Sequence, residues 1–218
     1  MRNGTPLLLV LGLLAMACSE NTATSTTTVP VAATAASVAV GPTPVIVDYS
    51  PTVSDIGGFL YLLAHPDIEV IAVSLPVTGE AECDPGVQLT LGILSLVGQD
   101  HVPVACDPER PPAAEAWPAE FLEGQIKLLS GLPHPLPGEG GPTGTELIIS
   151  TVNDSDRPVT IWAVGPLTNV ARALDREPEI AGNIEEIVIM GGAVDVPGNV
   201  FGSPAEWNVF IDAGAAAE

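Results

Sequence analysis

Hydrophobic and polar positions alternate between two regimes along this chain. Short β-branched runs of strand length stand between longer apolar stretches of helical length. Residues 44–48 (PVIVD) read as a buried strand ending in an acid. Ser54-Asp55 then opens an apolar helix, Ile56 to Ala64, and Ile68 to Leu75 reads as a second strand. Asp84-Pro85 starts a helix through Val97, with proline in its first turn, and Val102 to Cys106 is a third strand. Residues 107–144 are rich in Pro and Gly, with one amphipathic piece from Ala119 to Leu129. A helix over Glu146–Val152, a strand over Val159–Val164, a helix over Leu167–Leu174 and a strand over Glu185–Met190 follow. Glu206 to Ile211 reads as a last strand, and Asp212 as the cap of a helix that has barely begun at Glu218.

Alternating helices and continuously apolar strands predict an α/β fold: a doubly wound, mostly parallel sheet with helices on both faces. In such sheets ligands sit at the carboxyl ends of the strands, which places Asp48, Val164 and Met190 around one crevice. The short last helix suggests a domain that is incomplete at its C-terminus.

The front of the chain reads as an address. Arg2 precedes an apolar run, Leu7 to Ala17, too short to span a bilayer. Leu14-Ala15-Met16-Ala17-Cys18 resembles a bacterial lipobox, with Ala15 where Leu is usual. The expectation is a signal peptide over 1–17, a lipid anchor on Cys18, and an extracytoplasmic protein tethered to a bacterial membrane. Residues 18–43, rich in Ser, Thr, Ala and Val, form the tether, and 44–218 the domain.

Charge narrows the partners. Six Lys+Arg stand against 27 Asp+Glu, a net charge of -21. Such a chain cannot neutralise a phosphate backbone, so nucleic acid is excluded, and the membrane is met only through the lipid anchor. Association into homo-oligomers stays open. Cys83 and Cys106 fall near strand ends; a disulfide and two buried thiols are both open readings. His65, next to Pro66, and His134, next to Pro135, read as turn residues, and His101 follows a helix end.

Three stretches carry chemistry: VDYSPTVSDIGGFLYLLAHPDIEVIAVS, VTIWAVGPLTNVARAL, and IEEIVIMGGAVDVPGNV followed by AEWNVFIDAGAA. Together they resemble the inosine-uridine-preferring nucleoside hydrolase family. The resemblance implies hydrolysis of the N-glycosidic bond of a ribonucleoside, a small-molecule substrate, to base and ribose. It implies one Ca²⁺ that grips the ribose hydroxyls and holds the attacking water. That chemistry is coherent: an oxocarbenium-like state needs a positioned water and a base, and a hard cation with oxygen ligands can orient that water.

The family motif D-x-D-P-G-x-D-D aligns with Asp48-Tyr49-Ser50-Pro51-Thr52-Val53-Ser54-Asp55. By that alignment Asp48 matches a supporting acid and Asp55 a metal-chelating acid. Ser50 stands at the position of the metal-binding base, and Ser54 where an acid holds a ribose hydroxyl. A hydroxyl cannot act as a base at neutral pH, an effect worth about 10²–10⁴-fold, and the lost charge weakens calcium binding. Asp48, on the same strand face as Ser50, can stand in as base or metal ligand. Val164 matches a residue whose backbone carbonyl binds the metal. Met190, Asn199, Glu206 and Asn208 match the ribose-binding residues, with Glu206 and Asn208 on one strand face. Glu80, in the block GEAECDPG, matches a branch of the family in which Glu follows the Gly. The remaining metal acid and the leaving-group histidine fall beyond residue 218. Three functions follow: a weakened hydrolase, a nucleoside- or ribose-binding lipoprotein without turnover, and a lipoprotein that keeps only the fold.

Overall fold

The computed structural model describes residues 41–78, 82–114, 140–200 and 202–218. The elements run β1 (Thr43–Asp48), α1 (Val53–Ala64), β2 (Ile68–Pro76), α2 (Cys83–Leu96), β3 (Val104–Asp107), α3 (Gly144–Asp154), β4 (Val159–Ala163), α4 (Thr168–Arg176), a 3-10 turn (Pro178–Asn183), β5 (Ile184–Ile189), α5 (Trp207–Ile211) and a closing 3-10 turn (Ala215–Ala217). The strands form one sheet in the order β3-β2-β1-β4-β5. Every pairing is parallel. The expected fold class is therefore present.

Strand alternation divides the core in two. Val45, Val47 and Tyr49 pack with Ile56, Phe59 and Leu62 of α1 and with Leu89 and Ile93 of α2. Ile46 and its neighbours Ala72 and Ile161 pack on the other face with Leu147, Ile148 and Val152 of α3 and Val170 and Ala173 of α4. Each helix presents one apolar stripe, as the i, i+3 spacing of Ile56, Phe59 and Leu62 shows. The chain switches from one side of β1 to the other between β3 and β4, so β1 and β4 flank the crevice where ligands of such sheets bind.

Local chemistry sets the element ends. Thr143 and Glu146 form a reciprocal capping box that starts α3 two residues earlier than its apolar pattern suggests. Cys83 and Cys106 form a disulfide with Cα atoms 5.5 Å apart, joining the start of α2 to the end of β3. Glu82 and Arg110 pair alongside it.

Two sequence expectations are corrected. Glu206–Ile211 is not a strand: Trp207–Ile211 is a helical turn and Glu206 is its N-cap, its carboxylate accepting from the amides of Asn208 and Val209. A side chain that bonds its own backbone two and three residues on outcompetes strand pairing, which the alternation of polar and apolar residues cannot reveal. Asp212 does accept from the amide of Ala215 at 3.1 Å, but only a 3-10 turn follows. β5 also departs from the fully covered strand expected, for Val188, Ile189 and Met190 are exposed.

Candidate active site

The site is built around the end of β1. Asp48 pairs in register with Ser74 of β2 and Ala163 of β4, which sets it in the middle of the sheet. Alternation sends its side chain to the face covered by α3 and α4, where Asn169 enters from the first turn of α4. Asn169 Nδ2 donates to Asp48 Oδ1 at 3.3 Å and to Ser74 Oγ at 2.9 Å. All three residues are fully buried. Burial pushes the Asp48 carboxyl up from 3.8 to about 7, against the hydrogen bonds from Ser74 and Asn169, which favour the anion. Asp48 Oδ2, Ser50 Oγ and Asn169 Oδ1 are buried without a hydrogen-bond partner. Unsatisfied buried polar atoms are costly, so three of them in and beside the end of β1 and the start of α4 call for a role beyond packing.

β1 ends at Asp48, so strand alternation does not carry on to Ser50. Ser50 is instead buried in the loop before α1, against Gly165. A Cβ on Gly165 would lie 3.3 Å from both the nitrogen and Oγ of Ser50, so the glycine lets the exits of β1 and β4 approach. Ser54 and Asp55 lie in the first turn of α1, where Ser54 Oγ donates to Asp55 Oδ1 at 3.2 Å. Partial burial raises the Asp55 carboxyl, and hydrogen bonds from Thr52 and Ser54 oppose that.

Met190, Asn199, Glu206 and Asn208 of the expected ribose residues are brought together, but their polar side chains are taken up by backbone groups around them. Asn208 Nδ2 donates to the carbonyls of Val164 at 3.1 Å and Met190 at 3.0 Å, tying α5 to the ends of β4 and β5. Glu206 Oε2 accepts from Gly192 N at 3.0 Å, and Asn199 Oδ1 from Trp207 N at 2.7 Å. Because Glu206 and Asn208 sit at a helix start, they do not share the strand face expected of them. Glu80, Cys18 and His134 lie outside the described residues. His65 ends α1, its Nδ1 accepting from Asp67 N at 3.2 Å, and His101 is exposed in the turn before β3; neither reaches the site.

Whether these residues fit a resident cation can be read from the donor set. A hard dication wants six to eight oxygens, several of them charged. Among the described residues no group of three or more His, Cys, Asp or Glu side chains could hold a metal. Ser50 is neutral, and the Val164 carbonyl is engaged by Asn208. The expected set of Asp48, Asp55 and the Val164 carbonyl does not make a calcium site by itself.

Reading the sequence missed Asn169 and Ser74. Asn169 lies inside the quoted stretch VTIWAVGPLTNVARAL, and a polar residue that opens a helix after a buried strand was the available signal. Asp107 was missed as well. Buried at the end of β3, it accepts from Thr145 Oγ1 at 2.7 Å and faces Arg172 at 3.4 Å. A cavity of about 420 Å³ opens beside it, lined by Glu109, Thr143 and Arg176 among others.

The sequence and the fold are similar to those of known proteins. Residues 45–218 fit the sequence profile described as inosine-uridine preferring nucleoside hydrolase. The pyrimidine-specific ribonucleoside hydrolase RihA of Shewanella oneidensis is 36% identical over 174 residues, covering 79% of this chain and 54% of its own. RihA of Salmonella schwarzengrund is 35% identical, with 55% of its length covered. The chain thus spans about half the length of the curated relatives it matches. Among solved structures, a plant nucleoside hydrolase superposes with a TM-score of 0.69 at 30% identity, covering 80% of this chain and 55% of that one. A purine-preferring ribonucleoside hydrolase from Gardnerella vaginalis gives 0.68 at 28% identity, covering 79% and 56%.

Proposed function

The chain belongs to the inosine-uridine-preferring nucleoside hydrolase family, and from that premise we propose that it binds a ribonucleoside at the carboxyl ends of β1 and β4 and slowly hydrolyses its N-glycosidic bond. The observation that carries this reading is the Asp48 carboxylate, buried at the family motif with one oxygen unpartnered and its pKa near 7. A carboxylate so poised can take a proton at neutral pH. Asp48 Oδ2 is sealed from solvent in this state, so the bound nucleoside must bring water to it; there Oδ2 accepts a proton from water, the water oxygen bonds the ribose anomeric carbon, and the bond to the base breaks with its electron pair passing to the base nitrogen, which is protonated from solvent. No step is routed through a metal, because the described residues do not assemble one's ligands. The missing carboxylates at 50 and 54 make the reaction slow. Binding without turnover is the second reading. The capped Val164 carbonyl and the neutral Ser50 favour it.

Ribose release from uridine and inosine, with calcium and with chelator, tests both. Slow release that Asp48→Asn abolishes supports the hydrolase. Saturable nucleoside binding without release supports the second reading, and neither rejects both. In the Ser50→Asp/Ser54→Asp variant, release rises by about 10²-fold or more and calcium binding tightens if the motif alignment is right; no gain in either counts against it.

We also propose that the protein is exported and lipid-anchored through Cys18. The lipobox-like residues support this, as does the Cys83–Cys106 disulfide, a bond of oxidising compartments. The Cys18→Ala variant should leave the membrane fraction; retention there rejects the anchor.

A further inference from the structure

Two of the orphaned oxygens, Asp48 Oδ2 and Asn169 Oδ1, belong to one hydrogen-bonded pair. Asn169 spends both of its amide hydrogens inside the core, one on Asp48 Oδ1 and one on Ser74 Oγ. Ser74, having accepted from Asn169, turns its own hydroxyl on the Asp48 carboxylate. Asp48 is thus gripped from two sides, while its Oδ2 is left without a partner.

The grip is itself braced. Thr168, the residue before Asn169, donates to Asp212 Oδ2 at 2.8 Å and fixes the start of α4. From the other side the first residue of α3 closes over the pair. A Cβ on Gly144 would fall 2.7 Å from Ser74 Oγ and 2.8 Å from Asn169 Nδ2, so only glycine allows α3 to seal them. Three elements, β2, α3 and α4, converge on the orientation of one carboxylate.

Burying a serine and an asparagine here is costly if packing were their only task, since apolar residues of the same size would fill the space without needing partners. Their hydrogen bonds restrict the Asp48 carboxylate to a single orientation. A side chain held in this way needs no reorganisation when a reactant arrives.

We propose that Asn169 is a positioning residue: clamped by Ser74 and sealed by Gly144, its amide fixes the orientation of the Asp48 carboxylate by holding Oδ1. The inference rests on the hydrolase reading for its catalytic meaning, and on geometry alone for the orientation of Asp48.

The test uses the full 218-residue chain. Asn169→Leu keeps the volume and removes the donor. With rates normalised to folded protein, kcat for ribose release falls about 10- to 100-fold while KM stays within about twofold, the pattern of a lost orienting partner. Ser74→Ala shows the same split, and Ser74→Thr, which keeps the hydroxyl, restores kcat. In a high-resolution structure of Asn169→Leu the Asp48 carboxylate is rotated or takes two conformers. An unchanged kcat together with an unmoved Asp48 overturns the proposal, as does a fall in KM affinity alone. If Asn169→Leu does not fold, the two Ser74 variants decide by the same readouts. If the unaltered protein releases no ribose, the hydrolase reading fails by itself, and the orientation of Asp48 in the variants decides the positioning role.

Discussion

Asp48 is held where an acid is expensive. In the unfolded chain its carboxyl titrates near 3.8, and in the fold near 7. Between those values the folded protein binds a proton that the unfolded chain has released. The contribution of Asp48 to stability is therefore full below about pH 4, falls as pH rises through the window, and is lost above 7. Asp48→Asn keeps the shape and an acceptor for Asn169 but cannot ionise. Denaturant unfolding should show the variant gaining on the unaltered protein between pH 4 and pH 7, by on the order of 4 kcal/mol, and levelling off above. A constant difference across that range would mean that Asp48 is hydrated rather than buried. The same residue shows how far sequence reaches. The acid at the end of a β-branched run was visible, and so were the serines at 50 and 54. Its partners Ser74 and Asn169 lie 26 and 121 positions on, and no local pattern links residues brought together only by strand order and helix docking.

At the scale of elements, apolar periodicity located every described strand of the sheet and the helices that cover it, because burial on both faces writes long apolar runs in β1, β2 and β4, while β5 keeps an apolar run with much of it exposed. It failed where side chains bond their own backbone. Glu206 and Asn199 take the amides at the start of α5, turning an alternating stretch into a helix. The cysteines were legible as a pair of alternatives, and the fold chooses the bridge. That bridge closes a sequence separation of 23 residues at the junction of α2 and β3. Restricting the unfolded chain over such a loop is worth about 3 kcal/mol. Replacing both cysteines by serine should lower the unfolding free energy by about that much, read from denaturant midpoints under oxidising conditions. An equal midpoint would show that the ion pair of Glu82 and Arg110 and the packing of α2 suffice without the bond.

For the whole molecule, charge and topology work separately. A net charge of -21 repels polyanions but says nothing about fold. Order in the sheet decides the site: because β1 lies between β2 and β4, Asp48 draws on both halves of the chain. The hydrogen bond from Asn169 to Asp48 closes across 121 residues. A ribosome adding about 5–20 residues per second needs roughly 6–24 s to bring the second residue out after the first. Through that interval β1 has β2 to pair with and an open flank where β4 will lie, and the acid has no amide to hold it. The Asp48 cluster is then a late product of synthesis, and the nascent chain is most vulnerable to wrong strand pairing at the open flank of β1 beside it.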